Sequence, residues 1–401
     1  PNGLVYYKGK YHLFFQHNPQ ANVWGNMSWG HATSTDLYNW QEQPVAIACT
    51  PTSGIFSGSA VVDINNTSGF GTKENPPIVA IYTEHQNDES NQSQCLAFSV
   101  DEGATFTKYE GNPVLDISAK NFRDPKVQWI DNQWIMTVAL ANDFKISFYS
   151  SPDLKSWKHL SDFGPAAEVG GVWECPDLIN FEGKWVLLVS LNPGGYQIGS
   201  GTQYFIGQWN GKEFIADDLQ TRWLDYGRDN YAGVTFSDAP DNRRIYLGWM
   251  NNWDYAKDIP ANSARGSMTI PRELSLVTID GKITLLQNPV KEILGSGIGD
   301  QNFTITPMES KTGIRFTNED GKSFDIGYDP QRKEIYVDRS SAWYEIESTS
   351  RHAAPFDAQE NSFEIRVITD TGSVELFVHG GRISITDLLL PSGSSWSTSP
   401  F

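Results

Sequence analysis

Apolar positions along this chain recur in short runs behind polar turns, and helical periodicity is almost absent. A turn leading into an aromatic or apolar strand occurs at Gly9-Lys10-Tyr11-His12-Leu13-Phe14-Phe15, Pro76-Pro77-Ile78-Val79-Ala80-Ile81-Tyr82, Asp131-Asn132-Gln133-Trp134-Ile135-Met136-Thr137, Glu182-Gly183-Lys184-Trp185-Val186-Leu187-Leu188 and Asn242-Arg243-Arg244-Ile245-Tyr246-Leu247-Gly248. These five starts lie roughly sixty residues apart, which leaves room for about four short strands in each unit and predicts an all-β, five-bladed β-propeller. A second recurring element, Ser34-Thr35-Asp36-Leu37-Tyr38-Asn39-Trp40 and Ser151-Pro152-Asp153-Leu154-Lys155-Ser156-Trp157, with Asp101 to Phe106 as a looser version, reads as outer strands. The unbroken apolar run Val186 to Val189 suits a strand covered on both faces, as in stacked blades. A β-sandwich with irregular loops is the competing architecture.

The texture changes near Gly295, after a short helical stretch from Pro289 to Leu294. Beyond it, Lys333 to Val337, Ser362 to Val367 and Ser373 to Val378 alternate apolar and polar positions with period two, which predicts an antiparallel β-sandwich. The predicted division is therefore a propeller over 1–294 and a supporting sandwich over 295–401. The low-complexity tail from Ser392 to Ser399 is expected to lie loosely on the surface.

Composition narrows the partners. A net charge of -18, from 30 basic and 48 acidic residues, repels phosphate backbones and anionic lipid, so nucleic acid and membrane surfaces are excluded as natural ligands. No apolar run is long enough to span a bilayer. Aromatics make up 13% of the chain, including 14 tryptophans; they suit stacking on sugar rings, although large β proteins also bury many for packing. Cys49, Cys95 and Cys175 match no zinc spacing, and a Cys49 to Cys95 bridge competes with ordinary free cysteine. Glycosylation sequons at Asn26, Asn65, Asn66, Asn91 and Asn302 suit a secreted protein, in a number that chance nearly supplies. No cofactor or metal is implied, and oligomerisation is left open.

Three acidic or polar stretches could carry chemistry. Glu174, in Trp173-Glu174-Cys175-Pro176-Asp177, stands between an indole and a thiol, and apolar neighbours would keep its carboxyl protonated as a general acid requires. A strand-end glutamate bonded to an amide is the plainer alternative. In Phe122-Arg123-Asp124-Pro125 the proline suggests a strand ending at a rim. Neighbouring strand residues face opposite sides, so Arg123 and Asp124 reach one ligand only if the backbone twists there; otherwise they form a structural ion pair. Asn2 and Gln16 offer donors and acceptors for hydroxyl groups, while Trp24, Trp29, Phe56 and Ser57 supply aromatic and small surfaces that blade packing would use equally well.

Taken together, Pro1-Asn2-Gly3, Trp29-Gly30-His31-Ala32-Thr33-Ser34, Phe56-Ser57-Gly58-Ser59, Phe122-Arg123-Asp124-Pro125-Lys126, Glu174-Cys175-Pro176 and Leu247-Gly248-Trp249-Met250-Asn251-Asn252-Trp253 resemble the invertase, inulinase and levanase family of β-fructosidases over nearly the whole chain. The resemblance implies a five-bladed propeller with a C-terminal β-sandwich, and a retaining enzyme that releases fructose from sucrose, inulin or levan through a covalent intermediate. In that mechanism nucleophile and acid/base stand about 5 to 5.5 Å apart. Glu174 matches the acid/base and Asp124 the transition-state stabiliser; Asn2, Gln16, Trp24, Phe56, Ser57, Arg123 and Trp249 match the fructose subsite, and Cys175 lies beneath the acid. The family motif Asn-Asp-Pro-Asn-Gly puts its aspartate nucleophile immediately before Pro1, so the sequence as written is expected to bind sugar without turning it over. Fructosyl transfer and a catalytically silent fructoside-binding protein are the alternatives. Trp173 beside the acid is similar to the inulinase and levanase branch, which brings polymeric fructosides into range.

Overall fold

The computed structural model describes residues 1–261, 265–294, 297–343, 349–390 and 395–401, and its regular elements are β-strands and single turns of 3-10 helix. From Asn2 to Pro289 the strands form five antiparallel sheets in chain order, four of them four-stranded and the second five-stranded. Their opening strands are Asn2–Tyr7, Ser53–Val62, Phe122–Ile130, Val172–Phe181 and Tyr231–Thr235. Each opening strand packs on the next, and the fifth returns to the first. There the Tyr6 amide donates to the Ser237 carbonyl at 2.9 Å and the Ser237 amide to the Leu4 carbonyl at 2.8 Å.

Period-two alternation sends side chains from each sheet into two different cores. Ile78, Ala80 and Tyr82 face the first sheet, against Val5, Phe14 and Trp29, whereas Val79 and Ile81 face the third, against Val127 and Met136. Leu187 and Val189 likewise pack on the third sheet while Val186 and Leu188 pack on the fifth. A last core, with Leu4 and Leu13 against Val234 and Leu247, joins the fifth sheet to the first. Burial on both faces explains the unbroken apolar runs, including Val186 to Val189.

The five turn-and-strand repeats are the second strands of these sheets: Lys10–His17, Ile78–Gln86, Gln133–Leu140, Lys184–Asn192 and Ile245–Trp249. The second repeat is a correction, because Ser34 to Trp40 and Ser151 to Trp157 are turns between third and fourth strands, not outer strands. In each, one carboxylate oxygen collects successive amides: Asp36 accepts from Tyr38 and Asn39, and Asp153 from Lys155 and Ser156. The leucine that follows is left-handed, with φ of 62° at Leu37 and 65° at Leu154. The closing indole then donates to that leucine's carbonyl, Trp40 to Leu37 and Trp157 to Leu154.

Gly299 onward forms two antiparallel sheets that share one apolar core, in which Ile305, Phe363 and Leu376 meet Phe316, Phe324 and Ile335. The expected helical stretch before it is one 3-10 turn, Lys291–Ile293, and Gly295 itself lies outside the described residues. The tail departs from expectation. Ser397–Pro400 is a strand paired with Thr312–Thr317, its backbone groups completing the sheet edge, while 391–394 lie outside the described residues. All three cysteines are free, which removes the Cys49 to Cys95 bridge. Among the described residues no helix is long and apolar enough to cross a membrane.

Candidate active site

Every opening strand slips against its neighbour near its start: between Asn2 and Val5, Ile55 and Gly58, Arg123 and Lys126, Glu174 and Asp177, and Tyr231 and Val234. Four of the slips hold a left-handed residue, Gly3 at φ 54°, Asp124 at 65°, Cys175 at 47° and Ala232 at 52°. A bulge of this kind breaks the alternation and re-aims a side chain. It brings Arg123 and Asp124 to the same side, with Arg123 Nε 4.0 Å from Asp124 Oδ2. Pro125 and Pro176 sit inside slips, where a missing N–H interrupts no ladder bond. The strand holding Pro125 therefore begins at Phe122 instead of ending there.

The acids meet. Arg123 Nε donates to Glu174 Oε1 at 3.0 Å, and its Nη1 reaches Gln92 and Asn121. The Tyr231 hydroxyl donates a short bond to the other Glu174 oxygen. Asp124 Oδ2 accepts from the Cys175 amide at 3.0 Å and lies 3.6 Å from its sulfur, and the Asp124 amide donates to Thr83 Oγ1. Burial and then the charge of Glu174 push the Asp124 carboxyl up to about 6, against the opposing pull of Arg123. Burial, with Asp124 and Glu174 adding to it, holds the Cys175 thiol well above its ordinary range. The indole expected beside Glu174 is elsewhere: Trp173 is fully buried between the third and fourth sheets and donates to the Glu168 carbonyl. Strand alternation turns it away from its neighbour, so guanidinium, phenol and thiol surround Glu174 instead.

The polar residues converge beside the acids. With its amide oriented to satisfy its neighbours, Asn2 accepts from the Gln16 backbone and side chain at 3.1 and 2.9 Å and donates to Ser57 Oγ at 3.1 Å. Phe56 stacks on His85 with centroids 4.4 Å apart and meets the exposed Trp24 edge-on at 6.3 Å. His85 bonds Gln92, which bonds Arg123, so this wall is continuous with the acids. On the other side Trp249 pairs with Tyr231 in the ladder and packs against Trp253 at 5.1 Å. Pro1 adjoins the amides, its carbonyl accepting from the Asn2 side chain at 2.9 Å. Among the described residues no cluster of three His, Cys, Asp or Glu side chains could hold a metal ion.

A largely buried acid held by a cation and a phenol, beside a second acid and a wall of amides and aromatic rings, is suited to gripping a polyhydroxylated ring and protonating an oxygen on it. The glycosyl hydrolases family 32 N-terminal domain matches residues 1–289 and the family 32 C-terminal domain residues 282–401. The chain belongs to glycosyl hydrolases family 32. It is 40% identical to the levanase of Bacillus subtilis, over 98% of this chain and 65% of that protein, and 36% identical to the extracellular exo-inulinase of Aspergillus niger, over 98% and 87%. It superposes on the crystal structure of the Aspergillus awamori exo-inulinase with a TM-score of 0.90 at 35% identity, over 100% of this chain and 92% of that one. Among the residues now seen around the two acids, the sequence reading passed over Tyr231, Gln92, Thr83 and His85. The structure shows what Tyr231 shares with the acids: like Asp124 and Glu174, it lies near the start of an opening strand.

Proposed function

We propose that this chain is a retaining β-fructosidase that releases terminal fructose from sucrose and from fructans such as inulin and levan. The observation that carries the reading is the convergence of Arg123, Asp124, Glu174 and Tyr231 from three different sheets onto one mouth. Glu174 is the acid/base: it protonates the departing oxygen and then takes a proton from water. Asp124 binds ring hydroxyls and stabilises positive charge that develops on the fructosyl unit, with Arg123 fixing both acids. Asn2, Gln16, Ser57, Phe56, Trp24 and Trp249 line the fructose subsite.

The five sheets are blades of a propeller over 1–294, and the two later sheets are a β-sandwich over 295–401. The ring of opening strands and the five cores between successive sheets support that reading. The attacking carboxylate is an aspartate joined to Pro1, whose carbonyl accepts from the Asn2 side chain. The resemblance to extracellular exo-inulinases and a levanase supports a secreted enzyme that acts on polymeric as well as small fructosides.

The test compares the chain with and without an aspartate ahead of Pro1 on sucrose, inulin and levan. Fructose release only with the aspartate, and retention of anomeric configuration in the first product, is the expected outcome. Release by both forms, or an inverted product, ends the double-displacement reading. Fructosyl oligomers forming in place of free fructose at high sucrose would make the enzyme a transferase on the same site.

A further inference from the structure

The segment that delivers Tyr231 is built largely by the second module. Residues 225–229 run along the strand Ile383–Leu388: the Tyr226 amide donates to the Ser384 carbonyl at 2.9 Å, and the Asp229 amide to the Thr386 carbonyl at 3.0 Å. A Cβ on Gly227 would stand 2.2 Å from the Thr386 carbonyl oxygen, so only glycine lets the two backbones come this close. Asp229, fully buried, is the anchor. Its Oδ2 accepts from Arg339 Nη1 at 2.8 Å and from the Leu388 amide at 2.9 Å, and its Oδ1 from the Tyr255 hydroxyl at 2.5 Å. Arg339, also fully buried, lies with its guanidinium 3.5 Å from the centre of the Trp343 ring. Two residues after Asp229 the chain reaches Tyr231 and, through its hydroxyl, Glu174.

Resting on the assignment of Glu174 as acid/base, we propose that the second module is a positioning element for proton transfer: Arg339, by pinning Asp229, fixes the strand start that holds the Tyr231 hydroxyl on Glu174. The charged and titratable groups facing Glu174 are Arg123, Asp124, Cys175 and Tyr231, and of these Tyr231 alone is reached from the second module's side of the structure. Those facing Asp229 are Arg339 and Tyr255, with Asp387 and His352 behind Arg339. A hydroxyl donated to a carboxylate favours its ionised form, so loosening this bond favours the protonated acid. Arg339 is a positioning residue, since it touches neither Glu174 nor any residue of the fructose subsite.

The experiment measures fructose release from sucrose across pH for Arg339→Met, Arg339→Lys, Tyr231→Phe and the Arg339→Met/Tyr231→Phe double variant of the full-length enzyme. Arg339→Met is expected to lower kcat about tenfold, the loss of one hydrogen bond to a charged group, with KM for sucrose little changed. It should also move the alkaline limb of the kcat profile upward, as Tyr231→Phe does. Arg339→Lys should recover part of both changes, and the double variant should shift no further than Tyr231→Phe alone. A folded Arg339→Met enzyme with the wild-type profile, or a shift that adds in full to that of Tyr231→Phe, overturns the proposal. Should Arg339→Met fail to fold, Arg339→Lys decides: a wild-type profile overturns the proposal and an intermediate one supports it. If Tyr231→Phe itself leaves the profile in place, the hydroxyl does not tune Glu174 and the proposal falls, while the acid/base role of Glu174 is decided separately by the turnover of Glu174→Gln.

Discussion

The two ends of the five opening strands make opposite use of charge. At their starts the ladders slip, residues turn left-handed and two acids gather around Arg123, with Tyr231 on one of them. Further along, the ladders run in register, and a cavity of about 700 Å³ opens at the strand ends, lined by Tyr6, Val62, Gln128, Trp129, Asn180 and Arg244 among others. Two of that cavity's carboxylates, Asp177 and Asp238, are spoken for. Asp177 accepts from the Thr235 amide and hydroxyl at 2.7 Å each and pairs with Lys126 at 3.7 Å, while Asp238 accepts from the Val62 amide. Acids are present at both ends; what distinguishes the starts of the strands is backbone irregularity, which brings two acids onto one guanidinium.

The largest effect sharpens that contrast directly. Glu174→Gln is expected to lower turnover by about 10³ or more in the full-length enzyme while substrate binding persists, checked by single-turnover kinetics beside calorimetric titration with sucrose. Near-normal turnover would remove the mouth from the chemistry. Next comes a change midway along the strands. Lys126→Met strands Asp177 in the interior, and unfolding by urea should show a loss of about 3 to 5 kcal/mol, while kcat per folded molecule changes little. A collapse of kcat without loss of stability would make the two ends one functional unit.

A smaller effect concerns Asp124, which should cripple turnover as asparagine yet stabilise the fold. Its carboxyl titrates at about 6 in the folded protein against an ordinary value of 3.8. The folded form therefore binds the proton more tightly than the unfolded one, and stability is lost as pH rises from about 4 through 6. Asparagine has no charge to lose, so the melting temperature of Asp124→Asn should match wild type at acid pH and exceed it by a few degrees above neutrality. Parallel melting curves at both pH values would mean that burial does not strain this acid. The smallest effect is expected at the far cavity: Trp129→Ala should leave kcat and KM for sucrose within about twofold, since nothing there touches the acids.

How much of this was legible follows from which strands keep their alternation. The second strands were readable because each is a polar turn followed by residues buried on both faces, as in Gln133–Leu140 and Lys184–Asn192. The opening strands were not, because Asp124-Pro125 and Cys175-Pro176 look like strand breakers and are in fact bulges inside strands. The local setting of Glu174 and the likeness of separated motifs pointed to the acids, and in the structure contacts link them to the other named residues through Gln92, His85 and Tyr231. Trp173 misled for the opposite reason: adjacency in sequence was taken for adjacency in space, where alternation forbids it. Ser34 to Trp40 misled because its aromatic and apolar residues serve a turn. Tyr231 escaped because the strand it opens, Tyr-Ala-Gly-Val-Thr, has too few bulky residues to stand out.

The ring seam, where Tyr6 and Leu4 exchange backbone bonds with Ser237, has a consequence for biosynthesis. A nascent polypeptide emerging from the ribosome holds Asn2 long before its seam partner exists, and residues 225–229 wait longer still for the strand Ile383–Leu388. A chain stopped before Ile383 lacks the strand that residues 225–229 run along, and it is expected to release no fructose from sucrose.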